Sequence, residues 1–139
     1  MPEKRTRILV IDDEASIRAF AGRALGAAGY DVAVASDGAD ALRLLDKHPP
    51  FNLFLVDLVM PGMRGDELGR QLRQLDPDVK VLYFTGYSDR LFEDRKVLWA
   101  NEAFLEKPVT LKALLEAVSL MLFGHTNGPG ADGKSSAAA

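Results

Sequence analysis

Two groups of acidic residues in this sequence, Asp12 to Glu14 and Asp57, each directly follow a run of apolar residues. Thr85-Gly86 and Lys107-Pro108 closely follow two later apolar runs. Carboxylates that share a crevice repel one another, and Mg²⁺ relieves that repulsion because this hard cation prefers oxygen ligands. A lysine ammonium suits a phosphoryl oxygen, and a threonine hydroxyl can donate to another. If the fold brings these groups together, they predict phosphoryl transfer to an aspartate, with charge stabilisation as the main catalytic device.

Five apolar runs predict the strands that must position these groups. Continuous runs without polar alternation are typical of strands that are buried on both faces, as in a parallel sheet. The runs are Ile8 to Ile11, Val32 to Ala35, Leu53 to Val56, Val81 to Phe84 and Ala103 to Leu105.

Apolar residues at helical spacing fill the segments that follow the runs. The first helix is followed by Gly29, a natural C′ residue, and the second is stopped by Pro49-Pro50. The third helix carries the apolar stripe Leu68, Leu72 and Leu75 and ends before Pro77. The last helix carries a clean apolar stripe from Leu111 to Leu122, and Gly124 closes it.

The segment Ser88 to Ala100 is the predicted fourth helix, short or irregular because its apolar residues form no single stripe. Leu91, Phe92, Val97 and Trp99 are more apolar residues than one helix stripe needs. They form either an exposed surface for a partner or the core beneath an irregular helix, and the sequence favours neither.

Five strands, each followed by a helix, predict an α/β fold: a (βα)5 three-layer sandwich around a five-stranded parallel sheet. The flavodoxin-like strand order 2-1-3-4-5 is the natural choice for such a sheet. Strands 1 and 3 are then neighbours and flank the topological switch point, where these folds open a ligand crevice. The candidate residues all follow the carboxyl ends of strands, so we expect them to meet there.

Each candidate also has an ordinary structural explanation. Asp13 could serve only as a helix N-cap, and Asp57 to Gly62 could form only a turn with Pro and Gly. Four such coincidences at one edge of the sheet favour a functional site instead.

Composition bounds the class of protein. The 139 residues, 47% apolar and 27% charged, suit one soluble globular domain, which we predict over residues 1–124. Residues 125–139 are rich in Gly, Ser and Ala and are predicted to form a flexible C-terminal tail.

The net charge of −3 gives no reason to expect nucleic-acid binding, and the absence of cysteine excludes disulfides and thiolate metal sites. We find no signal-peptide or membrane-helix pattern, so we predict a cytoplasmic protein with no membrane partner.

Taken together, the motifs resemble the signature of response-regulator receiver domains, the phosphorylation switches of two-component phosphorelays, which include chemotaxis receivers. The motifs are Ile11 to Glu14, Leu55 to Gly65, Thr85-Gly86 and Lys107-Pro108, and the resemblance covers about residues 6 to 123.

The resemblance implies a role for each acidic residue. Asp57 would be the phosphoacceptor. Asp12 and Asp13 would hold Mg²⁺, and Asp57 together with the backbone carbonyl of Val59 would complete the metal site.

The resemblance also implies a phosphoryl-binding group and a switch. Thr85, Gly86 and Lys107 would bind the phosphoryl group, and Thr85 with the aromatic Phe104 would form the switch. The Lys107-Pro108 peptide bond would be cis, an uncommon state even for proline.

Two positions depart from the family pattern. Many receivers carry Gly-Ala where this chain has Ala100-Asn101, but asparagine tolerates the left-handed conformation. Phe104 replaces the commoner tyrosine, so the switch has no hydroxyl at this position.

The family implies a histidine kinase or a histidine phosphotransfer protein as phosphodonor. A downstream protein target would bind the face made by helix 4, strand 5 and helix 5, and activation could also form a homodimer there. The chain is either a stand-alone receiver or the receiver part of a hybrid histidine kinase. In both settings it is expected to be no enzyme beyond phosphoryl transfer to, and hydrolysis from, its own Asp57.

Two alternative functions fit the sequence less well. A Mg²⁺-dependent aspartyl-phosphate phosphatase of the haloacid-dehalogenase kind needs Asp-x-Asp after its first strand, whereas Asp12 and Asp13 are adjacent. A degenerate receiver that acts only as an adaptor is disfavoured because no expected site residue is missing.

Overall fold

The computed structural model describes residues 5–47, 50–86 and 101–125. The predicted fourth helix, Ser88 to Ala100, therefore lies outside the described residues, as does the predicted tail apart from His125.

The described chain forms five strands and four helices, and the predicted α/β fold is confirmed. The strands are β1 Arg7–Ile11, β2 Asp31–Ala35, β3 Leu53–Asp57, β4 Val81–Thr85 and β5 Glu102–Glu106. The helices are α1 Ala15–Ala27, α2 Gly38–Lys47, α3 Gly65–Leu75 and α4 Leu111–Phe123, and α4 is the helix predicted to be the fifth. All neighbouring strands pair in parallel, in the predicted order β2-β1-β3-β4-β5.

Two apolar layers, one on each face of the sheet, form the core. Alternate strand residues such as Leu9 and Val56 pack with α2 and α3, whereas Ile8 and Leu55 pack with α1 and α4. The central strands β1 and β3 are buried over almost their whole length because helices cover both of their faces.

The prediction that every strand is buried on both faces is wrong at the sheet edge. β2 has a neighbour on one side only, and Val34 is 44% exposed. The predicted apolar stripes also extend too far, since Leu75 and Leu111 are 69% and 52% exposed. Both residues occupy a helix terminus, where the packing against the sheet has already ended.

Helix termini carry several of the predicted signals. Gly29 and Gly124 have φ of 104° and 79°, the left-handed conformation expected after a helix. Asn101 also has a positive φ, 69°. The Thr110 side chain accepts a hydrogen bond from the backbone N–H of Ala113 and thus caps α4.

Candidate functional site

The carboxyl ends of β1 and β3 bring three carboxylates together. Ile11 pairs with Val56 across the sheet, so Asp12 and Asp57 are the next residues along these neighbouring strands. One carboxylate oxygen from each of Asp12, Asp13 and Asp57 lies within 4.8 Å of the others. In the described part of the chain, this is the one group of three acidic or other ligand side chains close enough to share a metal ion.

Asp12 is fixed by hydrogen bonds that leave one of its oxygens for the cluster. Its Oδ1 accepts a bond from the backbone N–H of Glu14 at 2.9 Å, and its backbone carbonyl accepts one from Arg18 Nη1 at 2.7 Å. Its Oδ2 is buried and has no hydrogen-bond partner among the described residues. A buried carboxylate oxygen that accepts no hydrogen bond, together with the two further carboxylates beside it, makes the kind of ligand set that Mg²⁺ prefers, so the residues present fit the metal.

Asp57 is a buried carboxyl with an altered proton affinity. Burial, together with the negative charge of Asp12, raises the pKa of Asp57 to about 7, although Lys107 and a backbone hydrogen bond from Val59 act in the opposite direction. Burial also raises the pKa of Asp12. The cluster therefore disfavours its full negative charge, which a bound cation would relieve.

Lys107 places its ammonium among the carboxylates. Lys107 Nζ lies 3.5 Å from Asp57 Oδ1, 3.5 Å from Asp12 Oδ2 and 3.4 Å from Glu14 Oε1. Burial alone would lower the pKa of Lys107, but the charges of Asp12 and Asp57, together with the contact with Glu14, outweigh burial and raise it. The ammonium is therefore charged and stands beside the predicted phosphoacceptor.

Two backbone features are found at this lysine. The Lys107 N–H donates to the Thr85 carbonyl at 2.8 Å, which continues the pairing of β4 and β5 to the edge of the site. The Lys107-Pro108 peptide bond is cis.

The two predicted switch residues lie on neighbouring strands. Thr85 is the last residue of β4, is buried, and donates its hydroxyl to the Gly86 carbonyl at 3.0 Å. Phe104 lies in the middle of β5, and its ring stacks on Tyr83 with the centroids 5.4 Å apart.

Gly65 begins α3 directly against the end of β3, where Asp57 lies. A Cβ at this position would overlap the Asp57 backbone carbonyl and would lie 2.9 Å from the Leu58 Cα. The Gly65 N–H also donates to the Leu58 carbonyl at 2.9 Å. Only glycine therefore allows the helix to start this close to Asp57.

The roles of three residues at the site differ from the sequence-based prediction or were not part of it. Asp13 does not cap α1, because Glu14 is the N-cap residue and no side chain caps this helix. Glu14 is instead a third acidic partner of Lys107. Arg18, in the first turn of α1, donates a hydrogen bond to the Asp12 carbonyl at the end of β1. Its place near the start of a predicted helix was the only feature of the sequence that pointed to this contact.

The sheet order and the cluster at its switch point define a flavodoxin-like domain with a polar, metal-compatible crevice. A family model described as the response regulator receiver domain matches residues 8–119. The chain belongs to the response-regulator receiver family, the signalling domains of two-component systems, as the motifs predicted.

Two curated relatives from Brucella abortus (strain 2308) illustrate the settings in which such domains occur. The response regulator receiver protein CpdR is 36% identical over 116 residues, which cover 84% of this chain and 96% of CpdR. The sensor kinase CckA is 35% identical over 116 residues, which cover 83% of this chain but 12% of CckA. The similarity thus covers almost all of the receiver protein CpdR but only a small part of the sensor kinase CckA.

Solved structures show the same architecture. Chemotaxis protein CheY4 of Vibrio cholerae matches with a TM-score of 0.77 and 27% identity, over 86% of this chain and all of CheY4. Response regulator TrrA of Thermotoga maritima, solved in complex with Mg²⁺-BeF, matches with a TM-score of 0.73 and 31% identity, over 84% of this chain and 99% of TrrA. Among the described helices, none has the length and hydropathy needed to cross a membrane.

Proposed function

We propose that this receiver accepts one phosphoryl group on Asp57 with Mg²⁺ as cofactor. The observation that carries the proposal is the contact of Lys107 Nζ with Asp57 Oδ1, 3.5 Å, beside the cluster of three carboxylates. Asp12, Asp13, Asp57 and the Val59 carbonyl would hold the metal, which would supply positive charge to offset that of the carboxylates and the phosphoryl oxygens.

The chain's own residues then perform the transfer. An Asp57 carboxylate oxygen attacks the phosphorus of the donor, a P–O bond forms, and the bond from phosphorus to the donor breaks. Lys107 pairs with one phosphoryl oxygen and Thr85 donates its hydroxyl to another, while Gly86 leaves space for the group. Attack by water on the phosphorus later breaks the P–O bond, releases inorganic phosphate and restores the Asp57 carboxylate. Only the phosphoryl group on Asp57 is hydrolysed, and no external phosphate ester is a substrate.

The proposed donor is a phosphohistidine on a histidine kinase or on a histidine phosphotransfer protein. The output is a change in the face formed by the predicted fourth helix, β5 and α4, which binds a downstream protein or a second copy of this chain. Phosphorylation draws Thr85 inward, and Phe104 fills the space that Thr85 leaves.

The proposal holds for a stand-alone receiver and for the receiver of a hybrid histidine kinase, and in both cases it places the domain in the cytoplasm. Residues 1–124 would form the functional unit, and residues 125–139 would be dispensable for phosphorylation. His125 itself contacts the domain, because its backbone carbonyl accepts a hydrogen bond from Ser119. Deleting the residues after His125 should leave phosphorylation and thermal stability unchanged, and a loss of either would contradict this assignment.

The test is incubation with acetyl phosphate and Mg²⁺, followed by intact mass spectrometry. One phosphoryl group should be added to the parent and to Asp46→Asn, a control that removes an exposed carboxylate on α2, but none to Asp57→Asn. Normal labelling of Asp57→Asn would refute the assignment. Catalytic hydrolysis of an external phosphate ester would instead support a phosphatase.

A further inference from the structure

A buried polar network lies under α3, away from the acidic cluster. Glu102 begins β5, and its side chain is only 1% exposed. Its Oε2 accepts a hydrogen bond from the Tyr83 hydroxyl at 3.0 Å and lies 2.8 Å from Arg73 Nη2. A buried carboxylate is costly unless it is paired and hydrogen-bonded, so these two contacts fix the position of Glu102.

The backbone of α3 is adapted to the Tyr83 hydroxyl. Gly69 lies within α3, and a Cβ at Gly69 would overlap the Tyr83 hydroxyl oxygen and lie 3.0 Å from Tyr83 Cζ. Glycine inside a helix costs about 1 kcal/mol relative to alanine. The space at Gly69 lets the hydroxyl reach Glu102 beneath the helix.

Phe104 rests on the ring that this network holds. Tyr83 and Phe104 are direct neighbours across β4 and β5, and their rings stack at 5.4 Å with an interplanar angle of 29°. Tyr83 is fully buried, whereas Phe104 is only partly buried. Of the two rings, Tyr83 is therefore the fixed one and Phe104 the one with room to move.

We propose that Tyr83 is a positioning residue for the switch, because its hydroxyl, held by Glu102, fixes the surface on which Phe104 rests in the unphosphorylated state. This inference rests on the proposed role of Phe104 in switching. Phosphorylation must then move Phe104 away from a fixed ring, so the network opposes activation. Loss of the hydroxyl loosens the ring and favours the activated position of Phe104.

The decisive variant is Tyr83→Phe, which removes the hydroxyl and keeps the ring. The protein is titrated with beryllofluoride, a phosphoryl mimic, in saturating Mg²⁺, and the amide resonances of β5 and of the acidic cluster are followed. We expect Tyr83→Phe to bind beryllofluoride more tightly by up to about fivefold, the factor that corresponds to a net hydrogen-bond contribution of ~1 kcal/mol. The affinity for Mg²⁺ alone should not change, because the network does not contact the three carboxylates of the acidic cluster.

Tyr30→Phe is the matched control. Tyr30 is buried in the opposite apolar layer, and its hydroxyl has no hydrogen-bond partner among the described residues. This variant should bind beryllofluoride as the parent does. If Tyr83→Phe also keeps the parent affinity and changes only the free energy of unfolding, Tyr83 is merely structural and the inference is wrong.

Gly69→Ala tests the same contact from the helix side. Its Cβ displaces the Tyr83 hydroxyl, so we expect tighter beryllofluoride binding in the parent background and little further change in the Tyr83→Phe background. Equal effects of Gly69→Ala in both backgrounds would overturn the inference. A parent that binds no beryllofluoride, or whose Phe104 resonances do not respond to it, would instead refute the proposed function.

Discussion

Asp57→Asn should stabilise the protein at neutral and alkaline pH when no divalent cation is present. Burial and the charge of Asp12 raise the pKa of Asp57 to about 7 from an ordinary value of 3.8. Asparagine is neutral at every pH and resembles a protonated aspartate in shape. The substitution therefore removes the free-energy cost of ionising a carboxyl that the fold buries.

The sign and size of the effect follow from proton linkage. Between about pH 4 and pH 7 the unfolded chain releases the Asp57 proton while the folded chain retains it, so the stability of the parent falls as the pH rises. Each unit of pKa difference corresponds to about 1.4 kcal/mol. A difference of about three units therefore gives a gain of up to ~4 kcal/mol in the unfolding free energy of Asp57→Asn above neutral pH.

Urea unfolding from acid to alkaline pH, with a chelator present, measures this gain. The parent and Asp57→Asn should be equally stable near pH 4, diverge through pH 7 and stay apart at a constant difference above it. Asp46→Asn, which removes an exposed carboxylate, should show no such divergence. Mg²⁺ should narrow the difference because it binds the folded parent. Equal stability at alkaline pH, or a gain that is largest in acid, would refute the reasoning.

Two further substitutions test residues that support the metal site, and a third tests a helix cap outside it. Gly65→Ala should lower the unfolding free energy by ~1–3 kcal/mol and weaken Mg²⁺ binding, because its Cβ overlaps the Asp57 backbone; unchanged urea unfolding and Mg²⁺ titration would contradict this. Arg18→Ala removes the hydrogen bond to the Asp12 carbonyl and should also weaken Mg²⁺ binding, at a cost of ~1 kcal/mol in stability; parent-like Mg²⁺ affinity would show that Arg18 does not position Asp12. Thr110→Ala removes the cap of α4 and should cost ~1 kcal/mol in unfolding free energy without affecting Mg²⁺ affinity.

The sheet order could be predicted because each strand is a continuous apolar run and each connection is long enough for a helix. The extent of burial could not be predicted in the same way. The run at β2 resembles the central runs in sequence, but β2 is an edge strand and Val34 is largely exposed. Likewise, helical periodicity marks which face of α3 is apolar but not where its contact with the sheet ends, so Leu75 belongs to the predicted stripe and is nevertheless exposed.

The positions of the acidic residues and of Lys107 follow from chain order alone, because each stands at the carboxyl end of a parallel strand. Contacts between helices and strands carry no such local signal. A partly exposed arginine on a helix resembles any solvent-facing arginine, and nothing in the sequence distinguishes Arg18, which holds the Asp12 carbonyl, from its neighbours. Similarly, Glu14 belongs to the acidic run after the first strand, but the sequence does not indicate that its carboxylate, in addition to those of the Asp pair, contacts Lys107.

The network under α3 shows what kind of sequence signal can still reveal a nonlocal contact. In sequence, Glu102 resembles a polar boundary before an apolar run, yet it is buried and paired with Arg73, 29 positions earlier in the chain. Gly69 is the informative residue, because glycine in the interior of a helix lowers stability relative to alanine and therefore suggests that another group needs the space. The Tyr83 hydroxyl occupies that space. In this chain, a glycine in the interior of α3 and a tyrosine in the following strand together mark the buried contact, and the acceptor of the Tyr83 hydroxyl, Glu102, lies on the neighbouring strand β5.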